Sequence, residues 1–252
     1  MLKPIYLDPV EPALLVLDGP SLLLITASGQ RHRFPIREME RLHIAGNLRL
    51  EAAAMHACVA ASIPVCFHGT DTSLGYLLSA RPTPSRLSSL IETFLQRPDA
   101  ASRYQDWCSA VERRELLTVL KRLNMRAPDL RPASAESFIV SALPLLTVPA
   151  KTLRKLAEGV FALRLAAELA GREVDPLLVA SSSSALQVIS DCARLLSWSF
   201  YADWNQWLSN GTSAISNIRK SAIQCIEQCQ ARDVARVQSL LDAFSAWLAK
   251  LT

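Results

Sequence analysis

At residues 79–86 the chain reads SARPTPSR, with Pro82 and Pro84 one residue apart, and its hydrophobic rhythm changes there. Proline has a fixed φ and no backbone N–H, and it pushes the residue before it into an extended conformation, so neither a helix nor a strand runs through such a stretch. Before it, short apolar runs are bounded by turn signals; after it, apolar residues recur at three and four. This pattern predicts an α+β protein: a small, β-sandwich-like sheet domain with one helix over 1–80, and a larger all-α domain over 81–252.

In the first segment, "ALLVLDGPSLLLIT" reads as strand, Asp-Gly-Pro turn and strand, and "ITASGQRHRFPI" as strand, Ser-Gly turn and strand. A hairpin meander is the simplest arrangement. "EMERLHIAGNLRL" adds a strand before a Gly46-Asn47 turn. The alanine-rich "EAAAMHACVAAS" has helical spacing, and "IPVCFHG" is a β-branched and aromatic buried strand.

In the second segment, "SRLSSLIETFLQ", "ASRYQDWCSAVERRELLTVLKRLN", "AESFIVSALPLL" and "PAKTLRKLAEGVFALRLAAELAG" read as helices, the last with proline at its start and Gly171 at its end. In "VASSSSALQVISDCARLL", Ser184 and Gln187 have capping-box spacing, which predicts a helix beginning near Ala185. Its polar stripe holds Asp191 and, one turn on, Arg194, the spacing of an ordinary helix-surface ion pair. "WSFYADWNQWL" concentrates Trp198, Phe200, Tyr201, Trp204 and Trp207, and spacing of three and four favours a core or subunit contact over base stacking.

No apolar run approaches the roughly 18 residues of a membrane span, and "MLKPIYLDPVEP" lacks the order of a signal peptide, so the expected location is cytoplasmic. The six cysteines are scattered without zinc-knuckle spacing and read as reduced, buried thiols; Cys225 and Cys229 share a helical face but have no accompanying pair. His32, His43, His56 and His68 show neither HxH nor HExxH spacing and read as surface or core residues, so no metal is expected from them. Residues 1–80 hold 6 Lys and Arg against 7 Asp and Glu, leaving 21 against 16 beyond. The modest basic excess of the second segment permits a polyanion partner without demanding one.

The ordered set Pro35, Ile36, Glu38, Gly46, Ile63, Pro64, Val65, Phe67, Gly69 and Gly75 resembles the amino-terminal domain of the CRISPR adaptation integrases, the Cas-one family. Val174, Asp175, Pro176 and Leu178 resemble that family's step into the helix that carries its "D-x-x-D/E", where this chain has Asp191, Cys192, Ala193 and Arg194. The resemblance implies a fold of sheet domain plus helical domain, a dimer formed through the sheet domain, DNA as partner, and a Cas-two-like protein or an active paralogue beside it. It also implies a Glu, a His and an Asp holding a divalent cation, Mg or Mn, while a free 3′ hydroxyl of DNA attacks a phosphodiester.

Carried over by position, the Asp falls on Asp191 and the Glu on Glu136; the His would fall where this chain has Ser181 to Ser184. No histidine follows His68, so the helical segment has no imidazole in any register. Arg194, one turn from Asp191, would compensate the carboxylate and repel a metal. Glu136, near a helix start, is also explained by the helix dipole. The expectation is a catalytically degenerate member with no cofactor, acting as a structural or accessory DNA-binding subunit. Candidate phosphate contacts are Arg113, Arg114, Lys121, Arg122, Arg154, Lys155, Arg194, Arg219 and Lys220. Against that stands a reading in which the basic pairs are solvated helix faces paired to Glu112, Glu115 and Glu158. Two alternatives stay open: an active integrase or endonuclease in which Glu136 and Asp191 are joined by a serine hydroxyl or waters, and a helical interaction module outside the family.

Overall fold

A computed structural model describes residues 2–68, 74–77, 85–143, 150–175, 178–179, 186–210 and 218–252. The chain divides into two compact units, Met1–Arg81 and Pro82–Thr252.

The first unit holds eight strands among its described residues: β1 (Lys3–Leu7), β2 (Ala13–Asp18), β3 (Ser21–Thr26), β4 (Arg31–Pro35), β5 (Met39–Ile44), β6 (Leu48–Leu50), β7 (Val65–His68) and β8 (Leu74–Leu77). One helix, α1 (Ala52–Ala60), lies between β6 and β7. They form two four-stranded sheets, ordered β1-β5-β7-β8 and β4-β3-β2-β6. The expected meander is confined to β2, β3 and β4, which pair antiparallel. β5 leaves for the other sheet, where it lies parallel to β1 and β7, and β6 returns parallel to β2. β1 was not anticipated from the sequence; its Pro4 is accommodated because β1 lies at the edge of its sheet.

Alternation along the strands places Leu7, Leu15, Leu22, Leu24, Leu42, Ile44 and Val65 in one core with Ala54 and Cys58 of α1. Gly46 has φ +75°, and a Cβ there would meet the Pro9 carbonyl oxygen at 2.8 Å. The neighbouring backbone is tied down on both sides, Ala45 N–H to Leu7 O and Ala13 N–H to Asn47 O. Glycine is required at this corner on two counts, conformation and space.

The described helices of the second unit are α2 (Arg86–Leu95), α3 (Ala100–Arg122), α4 (Pro132–Ala142), α5 (Ala150–Gly171), α6 (Val188–Ser197), α7 (Ser199–Ser209), α8 (Ile218–Gln228) and α9 (Gln230–Leu248). α2 is capped by Ser85, whose hydroxyl accepts from the Ser88 N–H at 3.1 Å. α6 begins three residues later than its sequence suggests: Gln187 is the N-cap and makes no side-chain cap. Ser181 to Ser184 lie outside the described residues. The strongly amphipathic α6 packs Val188, Ile189, Cys192, Leu195 and Leu196 inward. Trp198, Tyr201 and Ala202 join Leu116, Leu120, Ala135 and Ile139 in a core shared by α3, α4 and α7.

Candidate functional site

Glu136 sits in the middle of α4, whose helix starts with Pro132 at its first turn. Its Oε1 accepts from Arg154 Nη1 at 2.9 Å and from the Tyr201 hydroxyl at 2.7 Å. Arg154 arrives from α5 and is itself held on three sides. Its Nε donates to Ser197 Oγ at 3.0 Å, its Nη2 to the Arg194 carbonyl at 3.4 Å, and its guanidinium carbon lies 3.6 Å from the centre of the Trp198 ring. Glu136 and Arg154 thus form a largely buried ion pair with a phenol and an indole around it. Burial and the Glu136 carboxylate push the Tyr201 hydroxyl well above its ordinary pKa.

Asp191 lies on the first turn of α6 and is half-buried rather than on an exposed stripe. Desolvation raises its pKa, opposed by Arg194 and by the Tyr104 hydroxyl, while Glu112 adds to the rise. The expected helix-surface pair with Arg194 is replaced by a longer-range one. Arg194 Nη1 donates to Glu112 Oε1 at 2.6 Å, and the same oxygen accepts from Trp198 Nε1 at 3.0 Å. A buried carboxylate with a cation and an indole donor is a better partner for a guanidinium than a neighbour on the same helix face.

Glu112 is the residue that sequence reasoning misplaced, as a partner for solvated basic pairs. The signal was available: Tyr104, Cys108, Glu112 and Leu116 follow one another at i+4, and all four are buried in α3. Among the described residues of the helical unit, no group of three or more His, Cys, Asp or Glu side chains converges as a metal would need.

The basic candidates divide sharply. Arg154, 9% exposed, and Arg194 spend their guanidinium groups on Glu136 and Glu112. Arg122 donates to Asp203 at 2.6 Å, and Lys155 to Glu158 at 3.0 Å. Arg113, Arg114, Lys121 and Lys220 are exposed. The side chain of Arg219 lies outside the described residues. Of the three acids expected as partners of the basic pairs, Glu158 takes Lys155, Glu112 takes Arg194, and Glu115 takes Arg236 at 2.7 Å with Arg114 at 3.8 Å.

The aromatic run is core. Phe200, Tyr201 and Trp204 are buried, and the ring centres of Trp204 and Trp207 are 5.2 Å apart, stacked. Five of the six cysteines are buried, Cys229 is half-buried, and none is in a disulfide. None of the described helices is long and apolar enough to cross a membrane.

The sequence profile of the family described as "CRISPR associated protein Cas1" matches residues 11–135. No curated protein matches the chain. Among solved structures, a Cas1 protein from Thermotoga maritima superposes with a TM-score of 0.71 at 13% identity, covering 98% of this chain and 97% of that one. A casposase bound to its integration product gives 0.66 at 10% identity, covering 100% and 92%. A Cas1 protein in complex with DNA gives 0.57 at 11% identity, covering 94% and 91%.

Proposed function

We propose that this chain, which belongs to the CRISPR-associated Cas1 family, binds DNA as a structural or accessory subunit of spacer acquisition and does not itself join or cleave strands. The observation that carries the reading is the commitment of Glu136. Its carboxylate already serves Arg154 and Tyr201 in a largely buried cluster, so it has no incentive to exchange them for an ion that must also shed water.

Asp191 adds a second argument: burial disfavours its charge, and the nearby cation, Arg194, is bonded to Glu112. A hard divalent ion prefers anionic oxygens and neutral imidazole around it. The helical unit offers no imidazole. This donor set does not fit magnesium or manganese.

DNA remains the partner that the chemistry suits. The exposed Arg113, Arg114 and Lys121 on α3, with Lys220 on α8, offer cations to phosphates without reading bases. Assembly as a dimer through the sheet unit, with a Cas2-like protein or a catalytic paralogue, belongs to the same proposal. So does a cytoplasmic location.

Incubating the purified chain with branched duplex DNA carrying a free 3′ hydroxyl, in magnesium and in manganese, tests the reading. Retarded DNA with neither nicked nor joined products is expected. Products that vanish in Asp191→Ala would show an active enzyme with an altered ligand set. No retardation even at low salt would leave a helical interaction module.

A further inference from the structure

Strand pairing in the sheet unit brings together three metal-ligating side chains that sequence spacing keeps apart. Cys66 and His68 are two residues apart on β7, so they share one face of the sheet. β5 runs parallel beside it with His43 in register with Cys66. The opposite face of the same strands carries Leu42, Ile44 and Val65 into the hydrophobic core, so His43, Cys66 and His68 are held on the other side by the pleat itself.

His43 Nδ1 lies 3.2 Å from His68 Nε2, and Cys66 Sγ lies 3.5 Å from the same nitrogen. All three donor atoms fall within 4.8 Å of one another. A tetrahedral zinc ion with Zn–N of about 2.05 Å and Zn–S of about 2.3 Å has N···N and N···S edges of about 3.3 and 3.6 Å. Both observed edges agree with these to within a few tenths of an ångström; the His43 and His68 rings are stacked, with centroids 5.6 Å apart and planes 25° from parallel, so an entering ion requires an imidazole to turn its lone pair toward it.

We propose that His43, Cys66 and His68 form a zinc site in the sheet unit, supplying three of its donors. Mixed thiolate and imidazole donors suit zinc and exclude the hard ions that oxygen ligands select. His43 and Cys66 are buried and His68 is half-buried. Tyr6, in register with His43 on β1, stacks on its ring with centroids 4.4 Å apart and planes 10° from parallel, which fixes the imidazole's orientation. Arg41 shares the face two residues before His43 and is ion-paired with Glu40, which tempers its repulsion of a cation. Binding converts the Cys66 thiol to a thiolate and releases one proton; both imidazoles coordinate as neutral rings. The site is independent of the DNA reading, which rests on the helical unit.

The full chain, stripped with chelator and titrated with Co²⁺ and then Zn²⁺, provides the test. One cobalt per chain is expected, with a thiolate-to-cobalt charge-transfer band and the intensified visible bands of tetrahedral cobalt, both abolished by stoichiometric zinc. Cys66→Ser removes the charge-transfer band, and His68→Ala, at the half-buried position, abolishes or severely weakens binding with the fold retained by circular dichroism. Should Cys66→Ser fail to fold, His68→Ala decides alone. The double variant Cys225→Ser, Cys229→Ser, which removes the paired thiols of the helical unit, leaves the cobalt spectrum unchanged. A featureless titration, or a cobalt spectrum that survives His68→Ala or depends on Cys225 and Cys229, would overturn the proposal and leave the three side chains as a hydrogen-bonded cluster.

Discussion

The guanidinium of Arg154 lies over the indole of Trp198, its central carbon 3.6 Å from the ring centre, while its Nη1 holds Glu136. The same indole offers its N–H to Glu112, which holds Arg194. Two carboxylates and two arginines are thus organised around one tryptophan. A similar pattern recurs deeper in the helical unit, where Arg164 pairs with Asp233 at 3.0 Å and Arg232 with Asp203 at 2.6 Å. Acids in this unit serve to neutralise arginines that cross between helices. A planar, weakly hydrated cation tolerates such burial better than lysine does.

Replacing Arg154 by alanine therefore strips Glu136 of its cation and leaves a carboxylate in a largely buried setting. A loss of about 3 kcal/mol is expected, the usual scale for breaking such a pair. All five tryptophans, Trp107, Trp198, Trp204, Trp207 and Trp247, belong to the helical unit, so indole fluorescence during urea unfolding reports that unit separately from the sheet. Arg154→Lys restores part of the loss, since it keeps the charge but not the stack. An unchanged midpoint in Arg154→Ala would mean that the pair is not what holds α4 to α5.

The pH response of Asp191 has the opposite sign to that of a salt-bridged acid. Burial raises its pKa above the ordinary 3.8, so the folded chain holds this proton more tightly than the unfolded chain does. Stability from this group is greatest below the ordinary value and falls as pH rises through the raised one. Asp191→Asn removes that loss. The variant is expected to be more stable than the parent at pH 7, with the difference shrinking as pH approaches 4. Urea midpoints of the two chains across that interval measure it; a variant less stable at pH 7 would show that the charged carboxylate is a net stabiliser.

How far the sequence could be read depended on the range of the interactions. The β2-β3 hairpin, the helix over α1 and the long helices α3 and α5 were legible because local turns and periodicity decide them. β1 was not: its partners on β5 lie more than thirty residues away. In the site, Arg194 was visible but its partner was not, because Glu112 is 82 residues earlier and only the packing of α3 on α6 brings them together. The same limit hid His43 from Cys66 and His68, since spacing along a chain says nothing about parallel register across it. The helix after the serines starts at Val188 rather than near Ala185, because a capping-box pattern states a preference and not a boundary; Ser184 itself lies outside the described residues.

Gly46 offers a test of the sheet unit. Gly19, Gly29 and Gly46 all have positive φ, so alanine strains the backbone at each, by about 1 kcal/mol. Only at Gly46 does the new Cβ also collide with backbone, the Pro9 carbonyl at 2.8 Å; at Gly19 and Gly29 nothing lies within 4 Å. Gly46→Ala should therefore cost distinctly more than the other two substitutions. Because that unit holds no tryptophan, hydrogen exchange of β2 and β5 amides is the suitable readout. Equal protection in all three variants would mean that the Pro9 segment yields at little cost.

DNA contact by α3 predicts a number rather than a mere weakening. Each phosphate neutralised by a lysine or arginine adds about 0.9 to the slope of log affinity against log salt concentration on duplex DNA. Arg113, Arg114 and Lys121 are exposed on that helix, so alanine at all three should lower the slope by about 2 to 3, with affinity lost about equally across sequences. Arg122 separates charge from contact: its guanidinium is held by Asp203, so Arg122→Ala should leave the slope unchanged while destabilising the helical unit. Fluorescence anisotropy with labelled branched duplex, titrated at several salt concentrations, yields both slopes. A triple variant with the parental slope would assign this face of α3 to solvent and move the search for the phosphate contacts to the Lys220 end of α8.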